Sequence, residues 1–345
     1  MQITRIGVDL AKRVFQLHGV DEHGAARICR ALPRNKVRVY FAQLPPCLVG
    51  MEACASAHYW ARELSKLGHT VKLMAAQFVA PYRKQSKNDA NDAAAICEAV
   101  GRPNMHFVAP KTEEQQAVLM VHRARSLAVA NRTAQVNQIR GLLSEFGIVM
   151  ALGISRVRSE LPQILEDAEN ALPSLAREVL SDLLEQLRDW DRRVTHYDVK
   201  IRELAQQSEP SRRLMRLESI GPLTATALVA SMGDPSVFRS GRSYAASLGL
   251  VPRQYSSGGK QRLGQITKRG DCYLRCLLVH GARSHLRSVD RRNDAKSVWA
   301  QRLKSRRHVN VAAVALAAKH ARIAWALLAK GTEYRVVDRQ LAVAT

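Results

Sequence analysis

Short apolar runs broken by turn residues open the chain: 3–8, 14–20 and 25–32 each read as a strand, with a Lys-Arg pair turning the first into the second. Three strands in succession predict a meander. A helical segment over 36–44 stops at Pro45 and Pro46, and the apolar run 47–51 that follows suits a buried parallel strand. A helix over 56–67, closed by Gly68, leads to a further apolar strand at 70–74. Asn88 or Asp89 then caps a helix reaching Val100, ended by Gly101 and Pro103. The order βββαβαβα predicts an α/β domain, a mixed sheet with helices on its faces.

The period changes after a linker at 104–111. From 113 to 146 apolar residues recur at helical spacing, with Val118, Val121, Leu127, Val136, Ile139 and Leu142 as the expected buried stripe. A second long helix over 175–204 places Leu180, Leu183, Leu184, Leu187, Trp190, Val194 and Tyr197 on one face. The two helices suit an antiparallel pair within the chain and a coiled coil with a partner equally well. From 214 the pattern becomes short helices with glycine-containing turns, a basic loop over 252–270 and helices over 272–286 and 312–328. Three segments follow: 1–110 α/β, 111–209 long helices as a coiled-coil linker, and 210–345 mostly α-helical.

Charge narrows the partners. The 345 residues carry 53 Lys and Arg against 30 Asp and Glu, a net charge of +23, and residues 211–345 hold 25 of the cations against 7 anions. A polyanion is the expected ligand, and nucleic acid the expected polyanion, because neutralising phosphates releases counterions. The apolar stretch 309–330 is interrupted by Lys319, His320 and Arg322, so no membrane span is expected. Six cysteines without C-x-x-C spacing or a secretory signal read as buried free thiols in a reducing cytoplasm.

In so basic a chain, acidic residues that follow apolar strands are candidates for chemistry. Asp9 ends Ile6-Gly7-Val8-Asp9, Glu52 follows Leu48-Val49-Gly50-Met51, and Asp89 and Asp92 lie one helical turn apart. An ionised carboxylate at a strand end needs compensation, and a divalent cation supplies it. Convergence of all four would hold two Mg²⁺ ions roughly 3.5 to 4 Å apart for phosphodiester chemistry. Taken singly, Asp89 also serves as an N-cap, Glu52 as a solvated strand end, and Asp9 as the start of a sugar-kinase-like fold.

The blocks Gly7-Val8-Asp9-Leu10-Ala11-Lys12, Met51-Glu52-Ala53-Cys54 and Lys87-Asn88-Asp89-Ala90-Asn91-Asp92-Ala93 resemble the DEDD signature of bacterial transposases of the insertion sequence 110 family, related to the pilin-gene invertase. The resemblance implies a ribonuclease-H-like, RuvC-type catalytic domain in which Asp9, Glu52, Asp89 and Asp92 bind Mg²⁺. It also implies donor and target DNA as substrates, a guiding bridge RNA, a homo-oligomer (dimer or tetramer) sharing its active site between protomers, and a place in the bacterial cytoplasm at the nucleoid.

The basic loop containing Tyr255-Ser256-Ser257-Gly258-Gly259-Lys260 reads, on its residues alone, as a passive phosphate contact, since no activating base is adjacent. Its similarity to the family's second signature block implies that Ser257, with Ser256 as the alternative, is the nucleophile of a covalent phosphoserine link to DNA. Leu217-Glu218-Ser219-Ile220-Gly221-Pro222 resembles the family's helix-hairpin-helix, with Ser219 at the usual first glycine, so a phosphate contact and a packing turn both remain open. Lys260, Arg262, Lys268, Arg269, Arg275 and Arg283 are the candidate phosphate contacts. A RuvC-like hydrolytic nuclease and an inactive nucleic-acid-binding relic are the alternative functions.

Overall fold

The computed structural model describes residues 2–84, 86 and 88–336, so Lys87 of the third signature block lies outside the described residues. The chain divides into two compact units, Met1–Glu113 with Met232–Arg239 and Glu114–Ser231 with Ser240–Thr345.

The first unit is built on a mixed sheet, as the strand pattern predicts. Its strands are β1 (Ile3–Asp9), β2 (Val14–Asp21), β3 (Ala26–Pro33), β4 (Leu48–Glu52), β5 (Thr70–Met74) and β6 (Phe107–Val108), in the spatial order β3-β2-β1-β4-β5-β6. The meander pairs antiparallel, and β1, β4 and β5 run parallel. The stretch read as a linker at 104–111 contains β6, an edge strand antiparallel to β5 and too short to show periodicity. The helix expected over 36–44 is a 3-10 turn, Arg34–Lys36, followed by α1 (Val37–Ala42).

Alternation along the strands gives each face its own core. Ile6, Val8, Val49 and Met51 pack with Phe15, Leu17, Phe41, Trp60 and Leu64 beneath α1 and α2 (Ala57–Lys66). The opposite face takes α3 (Ala76–Val79) and α4 (Asp89–Val100), where Met74, Val79, Ala95, Ile96, Ala99 and Val100 form a smaller core. On this face β1 and β4 present glycine. A Cβ on Gly7 would overlap the carbonyl oxygen of Ala93 and the backbone of Cys97, and one on Gly50 would lie 2.7 Å from Cβ of Val100. The absent side chains therefore let α4 lie directly on the strand backbones, where Cys97 Sγ reaches Arg5 O at 3.7 Å.

The second unit is mostly helical. α5 (Glu113–Ser144) and α7 (Ser174–Gln207) run antiparallel: Arg125 meets Asp198 at 2.5 Å and Arg132 meets Asp191 at 3.3 Å, so seven residues forward on one helix match seven back on the other. Between them in sequence, α6 (Ile154–Glu166) was not expected, since Pro162 interrupts its pattern; Val157 and Leu161 nevertheless join Ile139, Leu143, Leu180, Leu184 and Leu187 in one core. On α5 the buried row is Ala128, Gln135, Val136, Ile139 and Leu143. Leu127 and Leu142, expected inside, are 63% and 38% exposed, because each sits one residue, about 100° of turn, off that row.

Beyond lie α8 (Glu209–Met215), α9 (Pro222–Met232), α10 (Gly241–Ser247), α11 (Cys272–Ser288), α12 (Ala295–Arg306) and α13 (Val309–Lys330). Among the described residues α13 is the one helix long and apolar enough to cross a membrane; here it packs against α10, α11 and α12 and buries Leu316, His320 and Leu327. The loop expected over 252–270 contains a hairpin, β7 (Pro252–Gln254) with β8 (Leu263–Ile266). Of the six cysteines, all free, Cys47 and Cys97 are buried as expected; Cys29, Cys54, Cys272 and Cys276 are exposed, standing on the solvent side of otherwise apolar segments.

Two predictions follow from this packing. Gly7→Ala should destabilise the first unit by about 3 kcal/mol, with faster hydrogen exchange throughout α4, because helix backbone rather than a flexible side chain must give way. Gly141→Ala on α5, where a Cβ meets nothing within 4 Å, should be neutral or stabilising by up to about 1 kcal/mol, with urea titration reading both variants.

A third prediction concerns acid. His122 is buried between Tyr273 Oη at 2.9 Å and Thr226 Oγ1 at 3.0 Å, and burial, with a smaller contribution from Arg125, pushes its pKa down to about 4. Burial also pushes His320 down to about 3. Both folded values lie below the ordinary value of 6.5, so the unfolded chain takes up protons first as the pH falls. The contribution of the two histidines is therefore fully present well above pH 6.5 and is lost as the pH falls towards 4, by at most about 1 kcal/mol per pH unit for each. Urea midpoints at pH 7 and pH 5 should show this loss, and His122→Gln should make it shallower.

Candidate active site

Each acidic residue of the first unit has a local reason for its position. In the parallel pairing Arg5 lies beside Leu48 and Val8 beside Met51, and the same register sets Asp9 beside Glu52 at the strand ends. Both project on the face carrying Gly7 and Gly50, which is the face α4 covers. Asn88, extended at φ −154° and ψ 163°, caps α4 by accepting from the Asn91 amide at 2.8 Å, and Asn91 Nδ2 donates to Ser86 O at 2.7 Å. The cap is therefore Asn88 and not Asp89. Asp89 and Asp92 stand in the first helical turn, where the positive end of the helix favours carboxylates.

The four carboxylates line one cleft of ≈ 340 Å³, whose walls are completed by Ala76, Val79, Ala80, Arg83 and Ala95. Cys54, an exposed residue just past β4, registers two of them: partial desolvation of its sulfur first, and then the negative charges of Glu52 and Asp9, push its thiol up from its ordinary value. Asp92 pairs with Arg83, Oδ1 to Nη1 at 3.0 Å. As a donor set, four carboxylates fit a hard, oxygen-preferring divalent cation, and the Asp9, Glu52, Asp89 and Asp92 oxygens are the ones that would hold it. As the side chains stand, no three His, Cys, Asp or Glu residues among those described come close enough to share one ion.

Arg83 and the two glycines were not anticipated. Nothing in the sequence distinguishes Arg83 among so many cations. The glycines carried a readable signal, for each stands two residues before a carboxylate on neighbouring parallel strands.

In the second unit the candidate serine lies at the tip of the β7–β8 hairpin. Ser257 O accepts from the Lys260 amide at 3.0 Å across a tight turn in which Gly258 and Gly259 take φ +54° and +74°, both in the left-handed region. This is the backbone of a type I′ turn, which the glycine pair permits. Ser256 Oγ accepts from Gln254 Nε2 at 3.0 Å, and among the described residues no histidine or carboxylate hydrogen-bonds Ser257. Ser257, Lys260, Arg262, Lys268 and Arg269 are all exposed.

The hairpin base is held by backbone. A Cβ on Gly249 would overlap Arg269, one on Gly270 would overlap Ser247 O, and Lys268 N donates to Gly249 O at 3.2 Å. Arg275 Nη1 donates to Leu248 O at 3.0 Å and to Arg269 O at 2.9 Å, which ties the base to α11, while the exposed Arg283 donates to Asn310 Oδ1 at 2.9 Å. Ser219 adopts φ +74°, the conformation glycine would take in the resembling turn, and its carbonyl lies where a Cβ on Gly281 would fall.

Comparison with known proteins identifies the family. A transposase family of the DEDD type of insertion sequence 110 matches residues 6–148, which contain all four carboxylates, and the "Transposase IS116/IS110/IS902 family" matches 211–298, which contain the hairpin. A "Probable family 20 transposase" of Pseudomonas aeruginosa is 52% identical over 97% of this chain and 99% of its own length. The "Transposase for insertion sequence element IS1111A" of Coxiella burnetii is 43% identical, covering 96% and 92%, and that for IS1328 of Yersinia enterocolitica is 41% identical, covering 96% and 98%. With full-length relatives on both sides of the carboxylate cleft and the serine hairpin, the chain belongs to the IS110 family of transposases.

Proposed function

We propose that the chain is a Mg²⁺-dependent DNA transposase that cuts and rejoins strands through a covalent phosphoserine intermediate. The observation that carries this reading is the convergence of Asp9, Glu52, Asp89 and Asp92, from three separated segments, on one cleft. A divalent cation bound there supplies charge for an attacking and a leaving oxygen. Residues 1–110 form the catalytic domain, 111–209 the linker and 210–345 the domain that presents the nucleophile.

In the reaction the Ser257 Oγ–P bond forms as a P–O bond to the leaving strand breaks, and the serine proton passes to the leaving oxygen. The phosphoester is conserved, so the reverse attack by a deoxyribose hydroxyl rejoins DNA without an added energy source. Among the described residues no histidine or carboxylate hydrogen-bonds Ser257, which suits activation by a carboxylate cleft brought by a second protomer. Met120 and Leu127, 67% and 63% exposed and seven residues apart on α5, leave apolar side chains for such a coiled-coil partner. Lys260, Arg262, Lys268, Arg269, Arg275 and Arg283 hold backbone phosphates of donor and target DNA, and a bridge RNA supplies sequence choice by base pairing. The protein acts in the bacterial cytoplasm at the nucleoid.

The unassisted Ser257 also favours a second reading, a hydrolytic nuclease in which water attacks and Ser257 is a bystander. A suicide substrate that traps the cut strand separates the two. The recombinase reading expects a covalent adduct that Ser257→Ala abolishes and Ser256→Ala retains; ordinary cleavage by Ser257→Ala without any adduct would establish the nuclease. Asp9→Ala and Asp92→Ala should each lower strand cleavage by roughly a hundredfold or more, read by gel assay.

A further inference from the structure

Among the described residues that line the carboxylate cleft, Arg83 is the one cation. It follows the 3-10 turn Ala80–Tyr82, held by its own amide donating to Ala80 O at 3.2 Å, and continues in extended backbone at φ −74° and ψ 112°. Its neighbours Tyr82 and Lys84 line a separate cavity, together with Arg5, His18, Asn91 and Glu98, so this segment sends Arg83 by itself among the acids. Its side chain is 31% exposed and that of Asp92 18%, a pair partly withdrawn from water.

A guanidinium stays protonated at any working pH and has no lone pair to offer a metal, so it leaves a carboxylate only by displacement. Asp92 cannot give its full charge to Arg83 and to a divalent cation at once. A divalent cation brings two positive charges and open coordination positions to a cleft that Asp9, Glu52 and Asp89 also line, and this favours it over a guanidinium. Once released, the planar fork remains at the cleft wall, where it matches the non-bridging oxygens of a phosphodiester.

We propose that Arg83 is the resident counter-ion of Asp92 in the cleft. It holds Asp92 while the site is metal-free, competes with the divalent cation for that carboxylate, and on displacement transfers its hydrogen bonds to the phosphate undergoing cleavage. The proposal rests on the reading of the four carboxylates as a metal site and adds the residue that sets when the site is open.

The test uses full-length protein and Mn²⁺ as the probe, with free Mn²⁺ measured by electron paramagnetic resonance in the absence of DNA. Arg83→Gln should bind Mn²⁺ roughly three- to tenfold more tightly than wild type, the range expected for loss of one partly exposed competing pair. Without metal the same variant should melt at a lower temperature, and Mn²⁺ should raise its melting temperature more than it raises that of wild type. At saturating Mn²⁺ its strand cleavage should fall at least about tenfold, with Arg83→Lys intermediate in both affinity and rate. Equal Mn²⁺ affinity in wild type and Arg83→Gln, both lost in Asp9→Asn, would overturn the proposal and leave the metal site standing. Tighter Mn²⁺ binding with wild-type cleavage would overturn the transfer to phosphate. Absence of Asp9-dependent Mn²⁺ binding in wild type and in Arg83→Gln would instead remove the metal-site reading on which the proposal rests.

Discussion

The contact of α4 with the backbones of β1 and β4 at Gly7 and Gly50 sets the position of everything in the first unit that bears on chemistry. Asp9 lies two residues beyond Gly7, about 6.6 Å along the strand. Asp89 lies four residues before Ala93, the residue over Gly7, about 6 Å back along the helix. Helix and strand run in opposite senses, so the two displacements carry both acids to the same end of the sheet. Any side chain at Gly7 would lift the helix and separate the two pairs of carboxylates. The site thus depends on an absence of atoms a few ångströms away from the acids themselves.

The same geometry explains what could be read from the chain and what could not. Apolar runs bounded by Pro, Gly and charged turns predict the strands and the long helices, because burial on one face leaves a periodic trace in sequence. The acids at the ends of β1 and β4 were legible for a related reason, since a carboxylate directly after an apolar strand contradicts the pattern. A two-residue edge strand such as β6, or α6 with its internal Pro162, leaves too short or too broken a trace. The pairing of Arg83 with Asp92 is invisible for another reason: it joins a turn to a helix nine residues on, and no periodicity links them. The hairpin was hidden because its strands are exposed on both faces, and only the Ser-Gly-Gly-Lys turn marked it.

Backbone contact recurs in the second unit with the opposite purpose. Gly249 and Gly270 allow the base of the hairpin to lie against neighbouring main chain, and Arg275 closes it with two hydrogen bonds to carbonyls. The tip has no such support; a Cβ on Gly258 or Gly259 would meet nothing within 4 Å. Ser257 is therefore carried on a turn of defined backbone shape above a fixed base, exposed on every side to whatever approaches. Arg275 commits one nitrogen, Nη1, to two carbonyls of the hairpin base and keeps its remaining N–H groups for another acceptor.

Charge separates holding nucleic acid from cutting it. A chain with a net charge of +23 attracts a phosphate backbone at many points without regard to sequence. The cleft between β1, β4 and α4 carries the opposite sign, since among its described lining residues four carboxylates stand with one guanidinium. Cations are thus spread along the chain, whereas the four carboxylates from three separated segments are gathered at one place, so the two kinds of charge are segregated by the fold.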